Sequence, residues 1–157
     1  MLSKFRNLFG AAESTPPPAV PAGRRVYAVG DVHGRADLFA AIIEAIDADD
    51  AARASAETTI VLLGDLIDRG PDSAGVIALA RDWSARRLVR ALMGNHEEMF
   101  LDAFDNEEVL RHFLRFGGRE TVLSYPIDPV AYTAASLAET QALMRQAIPA
   151  DDIAYLQ

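Results

Sequence analysis

The chain has 157 residues, half of them hydrophobic, which suits one domain with a sizeable core and excludes disorder over most of its length. Its 15 Lys and Arg against 23 Asp and Glu give a formal net charge of -8, which argues against a nucleic-acid-binding protein with a large basic face. The sequence has no cysteine and no apolar run near the roughly 20 residues of a membrane span, so we expect a cytoplasmic protein without disulfides, thiolate metal sites or a transmembrane segment.

Residues 1–24 are interpreted as a flexible N-terminal tail followed by a Pro-rich linker. The first nine residues place apolar side chains at helical spacing, which is consistent with either a frayed tail or a short docking helix. Four prolines between positions 16 and 21 then favour a stiff spacer without regular structure. The folded domain is therefore predicted to cover residues 25–157.

From Arg25 onward the hydrophobic pattern alternates between strands and helices. RVYAVGD, TTIVLLGD and LVRALMGNH are typical of strands, and LFAAIIEAI and SAGVIALARDW, which separate them, are typical of helices. This βαβαβ order predicts an α/β fold with a parallel sheet and right-handed crossovers. Because the strands are apolar along their whole length, we expect helices on both faces of the sheet.

A helical segment is predicted after the third strand. EEMFLDAF and EEVLRHFLRF have helical character, and Gly117 with Gly118 is expected to end that path. Ser136 followed by Glu139 has the spacing of a capping box, which predicts one last amphipathic helix.

Each predicted strand ends in glycine followed by a residue of a type that binds metal ions. Ligands of open α/β sheets gather at the carboxyl ends of the strands, so we expect side chains from three neighbouring strand ends in one patch. Any one of these residues is equally compatible with a turn or a helix cap, whereas the three strand ends together favour a site. The residues of this patch are Asp31 and His33 after the first strand, Asp65 and Asp68 after the second, and Asn95 and His96 after the third.

The chemistry of the patch predicts a metal site. Carboxylate, imidazole and carboxamide groups without thiolate suit Mn, Fe or Zn, and the oxygen ligands favour the harder ions. Several anionic oxygens predict two cations about 3.5–4 Å apart, bridged by a carboxylate, for which Asp65 is the candidate, and by a water-derived hydroxide. Such a site supplies hydroxide near neutral pH and clamps both oxygens of an in-line displacement at phosphorus.

The segments GDVHGR, GDLIDRGPDS and GNHEE resemble the three N-terminal signature motifs of calcineurin-like metallophosphoesterases. The DRG triplet in the second segment resembles the bacterial serine/threonine protein phosphatase branch in particular. The resemblance covers about residues 25 to 125. It implies the four-layer α/β/β/α fold of that family, of which this chain would carry the βαβαβ half followed by a helical segment. It also implies hydrolysis of phosphorylated proteins or small phosphoesters with two divalent metal ions, manganese being the first choice.

The resemblance further implies a role for each matching residue. His96 would be the general acid and Asp68 would orient it. The implied metal ligands are Asp31, His33 and Asp65 for the first ion, and Asp65 and Asn95 for the second.

Elementary chemistry is consistent with these roles. An imidazolium at His96 paired with the carboxylate of Asp68 keeps its proton near neutral pH and can protonate a leaving oxygen. Arg69, together with Asn95, is a candidate for substrate binding because a guanidinium can fork onto two phosphate oxygens, although a surface arginine near a helix start fits as well. Glu97 is either part of the site or a favourable acid in a first helical turn.

The resemblance stops before the end of the chain. Family members continue with strands that bring two more histidines to the second metal, and no histidine follows His112 here. We therefore expect the N-terminal portion of the domain, with an uncovered sheet edge open to self-association. Three interpretations stay open: a serine/threonine protein phosphatase, which is favoured, a hydrolase of dinucleoside polyphosphates such as diadenosine tetraphosphate, and a truncated inactive module that binds or dimerises.

Overall fold

The structure is a computed structural model that describes residues 19–157. Most of the predicted tail and linker, including the possible docking helix in the first nine residues, lies outside the described residues. Residues 19–157 contain three strands, eight α-helices and a π-helical turn at Leu114–Gly118, and none of these helices is long and apolar enough to cross a membrane. The strands are β1 (Arg24–Val29), β2 (Glu57–Leu62) and β3 (Val89–Ala91). The helices are α1 (Ala36–Ala52), α2 (Ser73–Arg86), α3 (Asn95–Asp102), α4 (Glu107–Phe113), α5 (Arg119–Ser124), α6 (Pro129–Ala134), α7 (Leu137–Ala147) and α8 (Ala150–Leu156).

The sheet is parallel and its strands follow one another in chain order, β1-β2-β3. This confirms the predicted βαβαβ arrangement. Arg24 pairs with Glu57 at the start of the sheet, and Ile60 pairs with Val89 where β3 joins it. Strand β3 is shorter than predicted because the chain leaves the sheet before Gly94 and α3 begins at the next residue.

One face of the sheet carries the core. Ile60 and Leu62 of the central strand are fully buried and belong to the same cluster as Phe39 of α1 and Trp83 of α2. The rings of Phe39 and Trp83 meet edge to face with centroids 6.1 Å apart, so α1 and α2 seal this face together.

The opposite face is not covered within residues 19–157. Val26, Leu63 and Leu92 are each about half exposed, at 49%, 51% and 50% of their surface. The prediction of helices on both faces was therefore wrong for the described chain. An apolar strand pattern favours burial of both faces, but it does not identify what covers them.

The helical segment packs beside α2 rather than over the open face. Gly117 and Gly118 do not end the helical path as predicted: the chain kinks at Gly117, whose φ is +106°, and α5 starts directly after Gly118. The capping box is confirmed, since the Ser136 side chain accepts from the Glu139 N–H at 3.3 Å and α7 follows. Helix α8, which the sequence did not predict, is joined to α2 by other contacts described below.

Candidate active site

Four residues of the strand-end loops hold an uncommon backbone conformation. His33, Asp65, Asp68 and Arg69 have positive φ angles of 46°, 53°, 73° and 67°. Residues with a side chain rarely adopt this left-handed region, and they keep it only where the surrounding contacts over-determine the backbone. Such strain is typical of functional sites.

The three loops are packed directly on one another. The backbone carbonyl of Asp65 accepts hydrogen bonds from Val32 and His33, both at 3.0 Å, which ties the first loop to the second. Gly64, with φ +92°, lies so close to the third loop that a Cβ atom would meet the backbone nitrogen of Gly94 at 2.5 Å. Only glycine at position 64 satisfies both the backbone conformation and this close approach.

Glu97 fastens the second loop to the start of α3. Its buried carboxylate accepts backbone hydrogen bonds from Asp65 at 2.8 Å and Gly94 at 2.9 Å on one oxygen, and from Leu66 at 2.8 Å and Ile67 at 3.3 Å on the other. Such charge-assisted bonds are stronger than neutral ones. Glu97 is therefore more than a favourable acid in a helical turn, because it sets the path of the loop that carries Asp65.

The imidazoles of His33 and His96 meet edge to face, with ring centroids 4.8 Å apart. His33 donates from Nδ1 to the Ile67 carbonyl at 2.9 Å, and His96 donates from Nδ1 to Asp68 Oδ2 at 2.6 Å. These acceptors assign the Nδ1–H tautomer to both rings, so both Nε2 lone pairs are free to accept. The Arg69 guanidinium donates to them, at 2.8 Å to His33 and 2.9 Å to His96.

Three side chains form a cluster of metal-ligand atoms, called the donor cluster below, that fits a divalent cation. His33, Asp65 and His96 offer ligand atoms that all lie within 4.8 Å of one another. Two neutral imidazole nitrogens and a carboxylate are ordinary ligands of first-row metals, and the Nδ1 bond of His33 to a carbonyl is the usual support of a metal-binding imidazole. The Arg69 guanidinium is within hydrogen-bond distance of both Nε2 atoms, so the lone pairs of the two rings point toward one place.

The two other predicted metal ligands, Asp31 and Asn95, lie at the rim of the donor cluster. Asp31 Oδ2 is 3.7 Å from His33 Nε2, and its side chain is 66% exposed. Asn95 is exposed at the first position of α3, next to His96. The structure thus brings His96, predicted as the general acid, into the donor cluster itself.

Asp68 is fully buried beneath His96. Burial raises the pKa of Asp68 above its ordinary value, while hydrogen bonds from Thr121 and His96 oppose that rise. The Thr121 hydroxyl donates to Asp68 Oδ1 at 2.6 Å, opposite the oxygen that His96 uses. Sequence reasoning did not identify Thr121, which follows Asp68 by 53 positions and lies in no strand-end motif.

A family model described as calcineurin-like phosphoesterase matches residues 24–139, which include all three loops. A serine/threonine-protein phosphatase 1 of Salmonella typhimurium is 41% identical over 81 residues, which are 51% of this chain and 33% of that protein. A symmetrical bis(5'-nucleosyl)-tetraphosphatase of Hamiltonella defensa is 38% identical over 71 residues, 45% of this chain and 23% of that protein.

A zinc-dependent endopolyphosphatase of Saccharomyces cerevisiae is 39% identical over 80 residues, 51% of this chain and 23% of that protein. The matched part thus spans a third or less of the length of these curated relatives. Among solved structures, a protein of Pyrococcus horikoshii described as hypothetical protein PH1004 aligns with a TM-score of 0.49 and 17% identity, covering 83% of this chain and 46% of that one.

Proposed function

Because the chain belongs to the calcineurin-like phosphoesterase family, we propose that it is a metal-dependent phosphomonoester hydrolase whose substrates carry phosphoserine or phosphothreonine. The observation that supports this most is the convergence of His33, Asp65 and His96 from three strand ends, with Arg69 held between the two imidazoles. A cytoplasmic location is part of the proposal.

The proposed metal ligands are those of the sequence prediction: Asp31, His33, Asp65 and Asn95, with Asp65 shared between two ions and manganese as the first choice. The bridging role of Asp65 is supported by its central place, since its carbonyl accepts from the first loop and its Oδ1 accepts from the His96 N–H at 3.2 Å. When bound, divalent metal ions supply Lewis acidity and lower the pKa of water.

His96 is proposed to protonate the leaving oxygen of the substrate. Its Nδ1–H is held by Asp68, so Nε2 is the atom that faces the donor cluster. A proton on Nε2 could pass to a serine or threonine oxygen while Nδ1–H stays bonded to Asp68. Because Arg69 donates to the same Nε2, that side chain has to withdraw before His96 can carry this proton.

Arg69 is proposed to bind the phosphate. It is exposed, and its two terminal nitrogens already reach both imidazoles. Two phosphate oxygens are better acceptors for a planar guanidinium than two separate imidazoles, since they match its fork. Substrate binding and release of His96 would then be one movement of the same side chain.

A second candidate function is hydrolysis of dinucleoside polyphosphates. It is favoured by the relative of Hamiltonella defensa, which is named as a bis(5'-nucleosyl)-tetraphosphatase. The adjacent Asp68 and Arg69 favour the phosphatase instead, because they belong to the DRG triplet that resembles the serine/threonine protein phosphatase branch. Comparing kcat/KM for a phosphothreonine peptide with that for diadenosine tetraphosphate would decide between the two.

The first test is hydrolysis of p-nitrophenyl phosphate with and without manganese. We expect manganese-dependent turnover that Asp65→Asn abolishes, because the substitution removes the charge at the centre of the donor cluster. Asp105→Asn makes the same chemical change at a side chain that is 90% exposed and is the matched control. If the wild type is active and Asp65→Asn turns over equally fast, the assignment of Asp65 is refuted. If the wild type shows no turnover above a reaction without protein, the inactive binding module is favoured.

A further inference from the structure

The carboxylate of Asp68 is held from both of its oxygens. Oδ2 accepts from His96 Nδ1 at 2.6 Å, and Oδ1 accepts from the Thr121 hydroxyl at 2.6 Å. The terminal torsion of an aspartate is intrinsically broad, so a single hydrogen bond leaves the carboxylate plane free to turn. Two bonds on opposite oxygens fix that plane, and with it the direction in which the His96 ring points.

Thr121 also holds the backbone of Asp68. Its Oγ1 accepts the Asp68 N–H at 2.8 Å and lies 2.8 Å from Ser73 Oγ. Because the single Thr121 hydroxyl proton is given to Asp68, Ser73 is the donor between the two hydroxyls. Thr121 and Asp68 are both fully buried, so these hydrogen bonds take the place of hydrogen bonds to water. They also hold the backbone of Asp68 in its left-handed conformation, with a φ of +73°.

Contacts on both sides of Thr121 fix the position of α5. Before it, the Gly117 carbonyl accepts the Arg69 N–H at 3.0 Å, and a Cβ on Gly117 would lie 2.7 Å from Arg69 Cγ. After it, Ser124 Oγ accepts the Ala74 N–H at 3.0 Å. Helix α5 is thus docked against the Asp68–Arg69 turn and the start of α2, which gives Thr121 little freedom to move away.

We propose that Thr121 is a positioning residue, which acts through Asp68 to hold the His96 ring in the orientation in which Nδ1–H is bonded to Asp68 and Nε2 faces His33 and Asp65. In this orientation the neutral ring is the Nδ1–H tautomer, and the proton that is passed to the leaving oxygen is carried by Nε2. This inference rests on the proposed function, in which His96 protonates the leaving oxygen. It assigns a part in the reaction to α5, an element outside the three strand-end loops. Supporting groups of this kind hold a reacting side chain within a few tenths of an ångström of its productive geometry.

The test compares Thr121→Val, which keeps the shape but lacks the hydroxyl, with Thr121→Ser, which keeps the hydroxyl. The first readout is the long-range ¹H–¹⁵N NMR spectrum of the histidine rings, with His96 assigned by its loss in His96→Gln. We expect the Nδ1–H pattern in the wild type and in Thr121→Ser, and a mixture of tautomers in Thr121→Val. Thr140→Val is the matched control, because Thr140 is also buried and its hydroxyl donates to the Ser136 carbonyl away from the site.

The second readout is kinetic. Phenyl phosphate has a poorer leaving group than p-nitrophenyl phosphate and depends more on a proton donor. Thr121→Val should therefore lower kcat on phenyl phosphate by about 10-fold or more, with a smaller loss on p-nitrophenyl phosphate and little change in KM. A substitution that only destabilises the fold would lower both rates equally.

The outcomes separate the inference from the function on which it rests. Unchanged ring signals in Thr121→Val, or Thr121→Ser behaving like Thr121→Val in the ring spectrum, would overturn the role of Thr121. An equal loss of kcat on the two esters would overturn it as well. If the wild type hydrolyses neither ester, the proposed function fails for this chain, and the ring spectrum alone decides whether Thr121 positions His96.

Discussion

His96 is the residue on which two chemical roles compete. Its position in the donor cluster with His33 and Asp65 suits a metal ligand, whereas its bond to the buried Asp68 suits a proton donor. A ligand needs a free lone pair on Nε2, and a proton donor needs a proton on the same atom. The two roles therefore exclude one another at any one moment and can be distinguished by substitution.

At this residue we predict that His96→Asn retains bound manganese but lowers kcat by about 10² to 10⁴, the usual contribution of a general acid. Metal content after gel filtration and kcat on phenyl phosphate are the two measurements. His112→Asn, at an exposed position of α4, is the matched control. A fall in metal content in parallel with kcat would identify His96 as a ligand instead.

At the scale of elements, α8 is joined to α2 through one buried carboxylate. Asp152 accepts from Arg81 at 2.6 Å and from the Tyr125 hydroxyl at 3.1 Å, and it is 6% exposed. Burial and the neighbouring Asp152 both raise the pKa of Tyr125, so that phenol stays a donor over the physiological range. One side chain thus connects α8 with α2 and with the end of α5.

We predict that Asp152→Asn lowers the free energy of unfolding by about 1 to 3 kcal/mol, because an amide cannot serve both donors and leaves a buried group poorly paired. Urea denaturation followed by circular dichroism measures the change. The neighbouring Asp151 also contacts Arg81, at 3.0 Å, but is 79% exposed, so Asp151→Asn should change stability little. Equal losses in the two variants would show that the burial of Asp152 is unimportant.

At the scale of the whole molecule, the apolar face of the sheet has no cover within the described residues. Val26 lies near the start of β1, whereas Leu63 and Leu92 directly follow β2 and β3, so apolar side chains are exposed at both ends of this face. Exposed apolar side chains on one face of a sheet favour association. Within residues 19–157 the outer edge of β1 has no partner strand, which adds unpaired backbone groups beside this face.

We therefore predict that the chain self-associates through this face in a concentration-dependent way. Sedimentation velocity should show the association, and Val26→Lys should weaken it, because a lysine on the face would be desolvated in the interface. Val130→Lys introduces the same charge at a valine of α6 that is 76% exposed, away from the sheet. A wild type that stays monomeric at all concentrations, or equal effects of the two lysines, would contradict the prediction.

Much of the fold could be predicted from local pattern. The order βαβαβ follows from short apolar runs separated by longer helical ones, and the start of α7 follows from the capping box at Ser136. The end of the helical segment at Gly117 and Gly118 was predicted wrongly. The positive φ of Gly117 interrupts the helix, but a new helix begins at Arg119. Here α5 resumes the helix because it packs against α2 and the Asp68–Arg69 turn.

The sequence by itself determined which residue types come to the strand ends, because glycine followed by a ligand-type residue is a local pattern and parallel strands bring such ends together. Only the tertiary structure decided how those residues are held. Glu97 and Thr121 act through hydrogen bonds that span about 30 and 53 positions along the chain. Neither partner of such a bond has a local signal that points to the other. Which sheet face stays open was likewise decided in three dimensions, since burial depends on what packs against a strand and not on the strand's own residues.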